Sequence, residues 1–85
     1  MTKTKESSLF IFFYKEGSKD CERVRNLFKE FPRQMVIYMN VENDSALAAI
    51  DRYNVCMVPT VVGIPSKKKI CGRNICKESL SEILL

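Results

Sequence analysis

Four cysteines, Cys21, Cys56, Cys71 and Cys76, carry the most obvious chemistry in this sequence of 85 residues. No histidine accompanies them. That removes the commonest general base and the commonest nitrogen ligand of zinc. What remains is what a thiol does with its own sulfur: attack on a disulfide, residence in a mixed disulfide, or burial as a small apolar group. No two of the cysteines form a Cys-x-x-Cys pair. Structural metal sites draw on such close pairs, so no metal or other cofactor is expected. Cys71 and Cys76 stand nearest each other, and a local disulfide around Gly72 is open to them. In a reducing compartment all four would be thiols.

A second stretch bears on the same chemistry. In Val55-Cys56-Met57-Val58-Pro59-Thr60-Val61-Val62 a proline stands directly before a β-branched run. Proline cannot donate to a sheet ladder, so Pro59 belongs at the start of a strand or on an edge. A small apolar residue followed by Pro-Thr and a β-branched run is also the pattern of a cis-proline turn. Cys56 lies three residues before that proline.

The elements that must position these residues follow from the rest of the chain. Hydrophobic residues make up 46% of it and charged residues 28%, the balance of a globular protein. The length suits a single domain over residues 1–85. Residues 1–7 are polar and read as a lead-in. Leu9 to Tyr14 is an apolar, aromatic run of strand length, and its lack of alternation predicts burial on both faces in a central or parallel position. Ser18 is placed as a helix N-cap, with Asp20 and Glu22 in the first turn where the helix dipole favours acids. Cys21, Val24, Leu27, Phe28 and Phe31 then form one apolar face, and Pro32 ends the helix.

Met35 to Val41 is the second strand, parallel to the first through a right-handed crossover. Asn43 or Asp44 caps a helix running to Tyr53, with Leu47, Ile50 and Tyr53 inward and Ala46 and Ala49 beside them. Thr60 to Ile64 is a strand. Pro65-Ser66 turns the chain into a fourth, antiparallel strand, Lys68 to Cys71. A last helix from Ile75 to Leu85 buries Leu80, Ile83 and Leu84. The order βαβαββα makes an α/β protein, a mixed sheet with helices on both faces.

Several classes are set aside. No apolar run approaches the ~20 residues of a membrane span. Met1 to Lys5 lacks the apolar core and cleavage site of a signal peptide. A cytoplasmic protein with no membrane partner is expected. The net charge of +4 comes partly from Lys67-Lys68-Lys69, which reads as a solvated turn. Without interleaved aromatic residues it gives no footprint for nucleic acid.

The strand, the helix ending at Tyr53, Val58-Pro59-Thr60 and the final strand pair and helix together resemble the small members of the thioredoxin and glutaredoxin superfamily. The resemblance runs from Leu9 to Leu85. It implies a thioredoxin-like fold and a cis-proline at Pro59, with Met57, Val58, Pro59 and Thr60 shaping a groove for substrate backbone. It also implies a Cys-x-x-Cys pair at the start of the first helix, where the first thiol is activated and the second resolves the mixed disulfide. Here that motif is Ser18-Lys19-Asp20-Cys21, so the first cysteine is replaced by serine. Phe12 stands where many thioredoxins carry a buried acid. A shifted alignment with a longer loop makes Cys21 the leading thiol, as in a monothiol redoxin, with Cys56 as an internal resolving candidate.

Two functions are compatible with these residues. One is a thiol redox protein acting on a protein disulfide through Cys21 or Cys56, with an outside thiol completing the cycle. Glutathione could serve as that thiol through Val58-Pro59 and Lys19, although Cys71-Gly72-Arg73-Asn74 departs from the usual glutathione corner. The other is a redox-inactive module that holds an extended partner segment in the groove beside Pro59 by strand addition.

Overall fold

A strand with large apolar residues pointing both ways must be sandwiched, and the first strand organises the fold accordingly. The computed structural model describes residues 8–84. The lead-in over residues 1–7 and the helix end at Leu85 lie outside the described residues. β1 (Leu9–Tyr14) is followed by α1 (Lys19–Leu27), β2 (Val36–Asn40), α2 (Leu47–Arg52), β3 (Thr60–Ile64), β4 (Lys69–Cys71) and α3 (Lys77–Ile83). The sheet order is β2-β1-β3-β4. β1 pairs parallel with β2 and antiparallel with β3, and β3 pairs antiparallel with β4. The α/β class and the βαβαββα order are those expected.

β1 splits its side chains between two layers, as a period of two requires. Phe10 and Phe12 point into a cluster with Cys21, Val24 and Phe28 from the α1 region and Leu80 and Ile83 from α3. Ile11 and Phe13 point the other way, onto Val62 and, from α2 and its end, Ala49, Ile50 and Tyr53. Each buried aromatic side chain contributes about 1.5–3 kcal/mol. Phe10, Phe12 and Phe13 are fully enclosed.

Several boundaries differ from the sequence reading, each for a local reason. The α-helical hydrogen bonding of α1 stops at Leu27, and a 3-10 turn over Phe28–Glu30 carries the chain on. Phe31 is extended, as the residue before proline prefers. A second 3-10 turn takes up Met35, so β2 begins at Val36. A further 3-10 turn, Asp44–Ala46, precedes α2, and the inward face becomes Ala46, Ala49, Ile50 and Tyr53. Leu47, expected inside, is 60% exposed. The stripe 46, 49, 50, 53 has helical spacing and leaves Leu47 on the outer side. β4 starts at Lys69 rather than Lys68. α3 starts at Lys77 because Ile75 is buried in an extended link and Cys76 is the N-cap. Lys77 donates to Glu30 at 2.6 Å, a hydrogen bond that raises the lysine's pKa and ties the start of α3 to the turn after α1. Among the described residues no helix is long and apolar enough to cross a membrane.

α3 lies unusually close to β3. A Cβ built on Gly63 would stand 2.4 Å from the Ile83 backbone oxygen, and Ser66 Oγ donates to that same carbonyl. The contact is with backbone, which cannot swing aside. Gly63→Ala is therefore expected to destabilise the protein by about 1–3 kcal/mol through overpacking. A urea unfolding curve followed by circular dichroism reads this as a lower midpoint; an unchanged midpoint would show that α3 can retreat freely.

Candidate functional site

Strand register brings the chemistry-bearing segments to one end of the sheet. Phe13 is paired with Thr60, and Thr60 with Cys71. The end of β1 thus lies beside the start of β3 and the end of β4. The loop Lys15–Ser18, the turn Cys56–Pro59 and the corner Gly72–Asn74 all emerge there. Val41 joins them, its N–H donating to the Tyr14 carbonyl at 3.0 Å.

Ser18 is the N-cap of α1, and its hydroxyl oxygen accepts the Cys21 N–H at 3.2 Å. Gly17 at φ +83° makes the preceding turn, a conformation that favours glycine. Lys19 is exposed and Asp20 half-buried. Asp20 accepts from Arg23 Nε at 2.8 Å. Cys21 is the third residue of α1, only 3% exposed, and packs in the Phe10–Phe12 cluster. The helix start is therefore occupied by a serine oxygen already engaged with backbone, and the thiol behind it faces the core.

The Val58–Pro59 peptide bond is cis. Pro59 and Thr60 are buried, Val58 is half-buried, and Met57 is 46% exposed. Thr60 Oγ1 donates to the Met57 carbonyl at 2.6 Å and so closes the turn upon itself. Cys56 is exposed. It lines a pocket of about 240 Å³ with Val41, Ile50, Val55, Met57 and Val58. It also lines a neighbouring hollow that adds Leu47, Asp51 and Asn54. The thiol thus stands on the wall of an apolar groove one turn before Pro59. All four cysteines are free, with Cys71 half-buried and Cys76 exposed. Among the described residues no cluster of three or more Cys, Asp or Glu side chains could hold a metal ion.

Two residues that sequence reasoning passed over hold this end together. Arg23 donates to the Ile75 carbonyl at 2.8 Å and to the Gly72 carbonyl at 3.1 Å. Gly72, at φ +63°, donates its own N–H to the Pro59 carbonyl at 2.9 Å. A Cβ on Gly72 would press on the Met57 side chain at 3.1 Å. α1 is thereby linked through Arg23 and Gly72 to the proline turn. The Asp20–Arg23 spacing announces an ion pair, but nothing local announces carbonyl partners some fifty residues away. Lys69 had a similar hidden role. Its ammonium donates to the Tyr53 and Asn54 carbonyls at 3.0 and 2.9 Å, closing the end of α2.

The sequence matches the model of a family described as the thioredoxin domain over residues 11–85. No curated protein matches it. Among solved structures it is similar to thioredoxin-2 of the malaria parasite, a component of that parasite's protein secretion machinery. The TM-score is 0.61 at 12% identity, covering 91% of this chain and 80% of that one. It is also similar to a further malarial protein, with a TM-score of 0.55 at 13% identity, covering 91% of this chain and 92% of that one. At such identities the likeness is one of fold.

Ser18 and Cys21 sit at the first and last positions of a Cys-x-x-Cys spacing on a helix start. Ser18→Cys should therefore complete a dithiol pair. Under mild oxidation the variant is expected to lose two thiols together, without gaining mass by dimerisation, as read by thiol titration and intact-mass analysis. A variant that keeps all its thiols would show that this helix start cannot bring two sulfurs together.

Proposed function

Starting from a chain that belongs to the thioredoxin-domain family, we propose that it is a thiol–disulfide exchange protein acting through a single thiol, Cys56, in the groove beside Pro59. The observation that carries this reading is the contrast in access. Cys56 is exposed on the wall of an apolar pocket next to the proline turn, whereas Cys21 is 3% exposed in the core. Cys21 is the second candidate, reached only if α1 lifts from the sheet.

The exchange balances without a cofactor. The Cys56 thiolate attacks one sulfur of a protein disulfide. The partner's S–S bond breaks, and its second sulfur leaves as a thiolate and takes a proton. Cys56 is then held in a mixed disulfide. An outside thiol attacks the Cys56 sulfur and releases the partner fully reduced; a second outside thiol frees Cys56, and the outside thiol departs as its own disulfide. A low-molecular-weight thiol such as glutathione suits this role, since Ser18 offers no resolving sulfur. Met57, Val58 and the Pro59–Thr60 turn would hold an extended segment of the partner. A reducing compartment such as the cytosol would keep the thiols free.

Reduction of a small disulfide, with an outside thiol supplied in excess, tests the reading. Cys56→Ser is expected to drop turnover to the background of the outside thiol, while Cys21→Ala retains it. Full turnover in Cys56→Ser would overturn the assignment. Absence of turnover in the natural protein would transfer the groove to the redox-inactive binding role.

A further inference from the structure

The two edges of the sheet are built very differently. β4 is three residues long, begins at Lys69 and follows Lys67 and Lys68, so its edge is short and charged. Both features discourage pairing with another chain. β2 has neither. Val36–Asn40 contains no charge and no proline, and it pairs with β1 in unbroken register from Phe10↔Val36 to Tyr14↔Asn40. Its Ile37 and Tyr38 are 42% and 45% exposed. Among the described residues nothing lies across this edge, since β2 is the last strand of the order.

The outward backbone groups can be read off. The Val41 N–H faces β1, where it meets Tyr14. Alternation along the strand turns residues 37 and 39 the same way, and Val36, Tyr38 and Asn40 outward. Of these outward groups, the Val36 N–H already bonds the Arg33 carbonyl, and the Asn40 carbonyl already accepts from the Asn43 N–H. That leaves the Val36 carbonyl, both groups of Tyr38, and the Asn40 N–H. This set is symmetric about Tyr38. An antiparallel copy centred there pairs Tyr38 with Tyr38 through reciprocal bonds. Each Asn40 N–H then meets the Val36 carbonyl of the other copy.

The side chains agree with that arrangement. Ile37 falls opposite Met39 on one face, and the two Tyr38 rings adjoin on the other. Arg25 already lies over the Tyr14 and Tyr38 rings, at 4.8 and 5.5 Å. Just before the strand stands exposed Arg33, and just after it exposed Glu42 and Asp44. Antiparallel pairing brings the basic end of one copy to the acidic end of the other, whereas parallel pairing opposes like charges. We propose that the occupant of the β2 edge is a second copy of this chain, paired antiparallel about Tyr38 in a two-fold dimer with one continuous sheet. Such an interface is self-complementary and closes at two subunits.

Sedimentation velocity of the full chain, from low micromolar to millimolar concentration, tests this. The mass is expected to climb from 9.8 kDa and level off at twice that value. Tyr38→Pro deletes an outward N–H while leaving the bonds to β1, and is expected to remain monomeric throughout. Ile37→Lys puts a charge on the edge and is expected to do the same, giving a second reading should the proline variant fold poorly. Both are checked for native circular dichroism. A monomer at every concentration would overturn the proposal, as would a dimer that persists in a folded Ile37→Lys variant or a mass that rises past two without a plateau.

Discussion

The rest of the structure depends on β1 having no solvent face. Phe10 and Phe12 on one side and Ile11 and Phe13 on the other are all buried, so the strand must be central and both layers must be covered. A chain of 85 residues has little surface to spare for this. It supplies two helices for one layer and one short helix for the other. The crossover through α1 makes β2 parallel, and the proline turn brings β3 back antiparallel. Once β1 is fixed, the loop before α1 and the turn before β3 must meet at the same end of the sheet. The candidate site is a consequence of the core, not an addition to it.

At that end the helix start and the proline turn are built on different contacts. The helix start carries a hydroxyl that satisfies the Cys21 N–H. Cys21 is absorbed into packing in the same cluster as the enclosed Phe12. Pro59 is held by Gly72, which is held by Arg23 from α1. The apolar groove leads from this turn toward α2, and Cys56 stands on its wall. The exposed sulfur beside the groove is therefore that of Cys56 in the loop, while the sulfur on the helix, Cys21, is buried.

Much of this was legible in the chain itself. The uninterrupted run Leu9–Tyr14 announced a central strand, Ser18 with Asp20 and Glu22 announced a helix start, and Pro59 before a β-branched run announced a strand entry. What failed was local geometry that tertiary packing decides. Leu47 reads as an inward residue until the 3-10 turn before it passes the inner stripe to Ala46, Ala49 and Ile50. Ile75 reads as the start of the last helix, but it is buried in an extended link ahead of Cys76, the N-cap of α3. The burial of Cys21 was foreshadowed by its phase with Val24 and Phe28. The roles of Arg23, Lys69 and Gly72 could not be seen, because their partners are backbone carbonyls and an N–H brought near only by the completed fold. The pocket wall is likewise assembled from Val41, Ile50 and Val55, which no local pattern joins.

Access separates the two sulfurs: Cys56 is exposed in the loop before Pro59, and Cys21 is buried behind the helix start. Alkylation of the native protein with iodoacetamide, with each cysteine followed by peptide mass against time and urea, tests it most directly. Cys56 is expected to be modified in the folded protein, and Cys21 only as the protein unfolds. Rapid native modification of Cys21, with Cys56 protected until unfolding, would contradict the account.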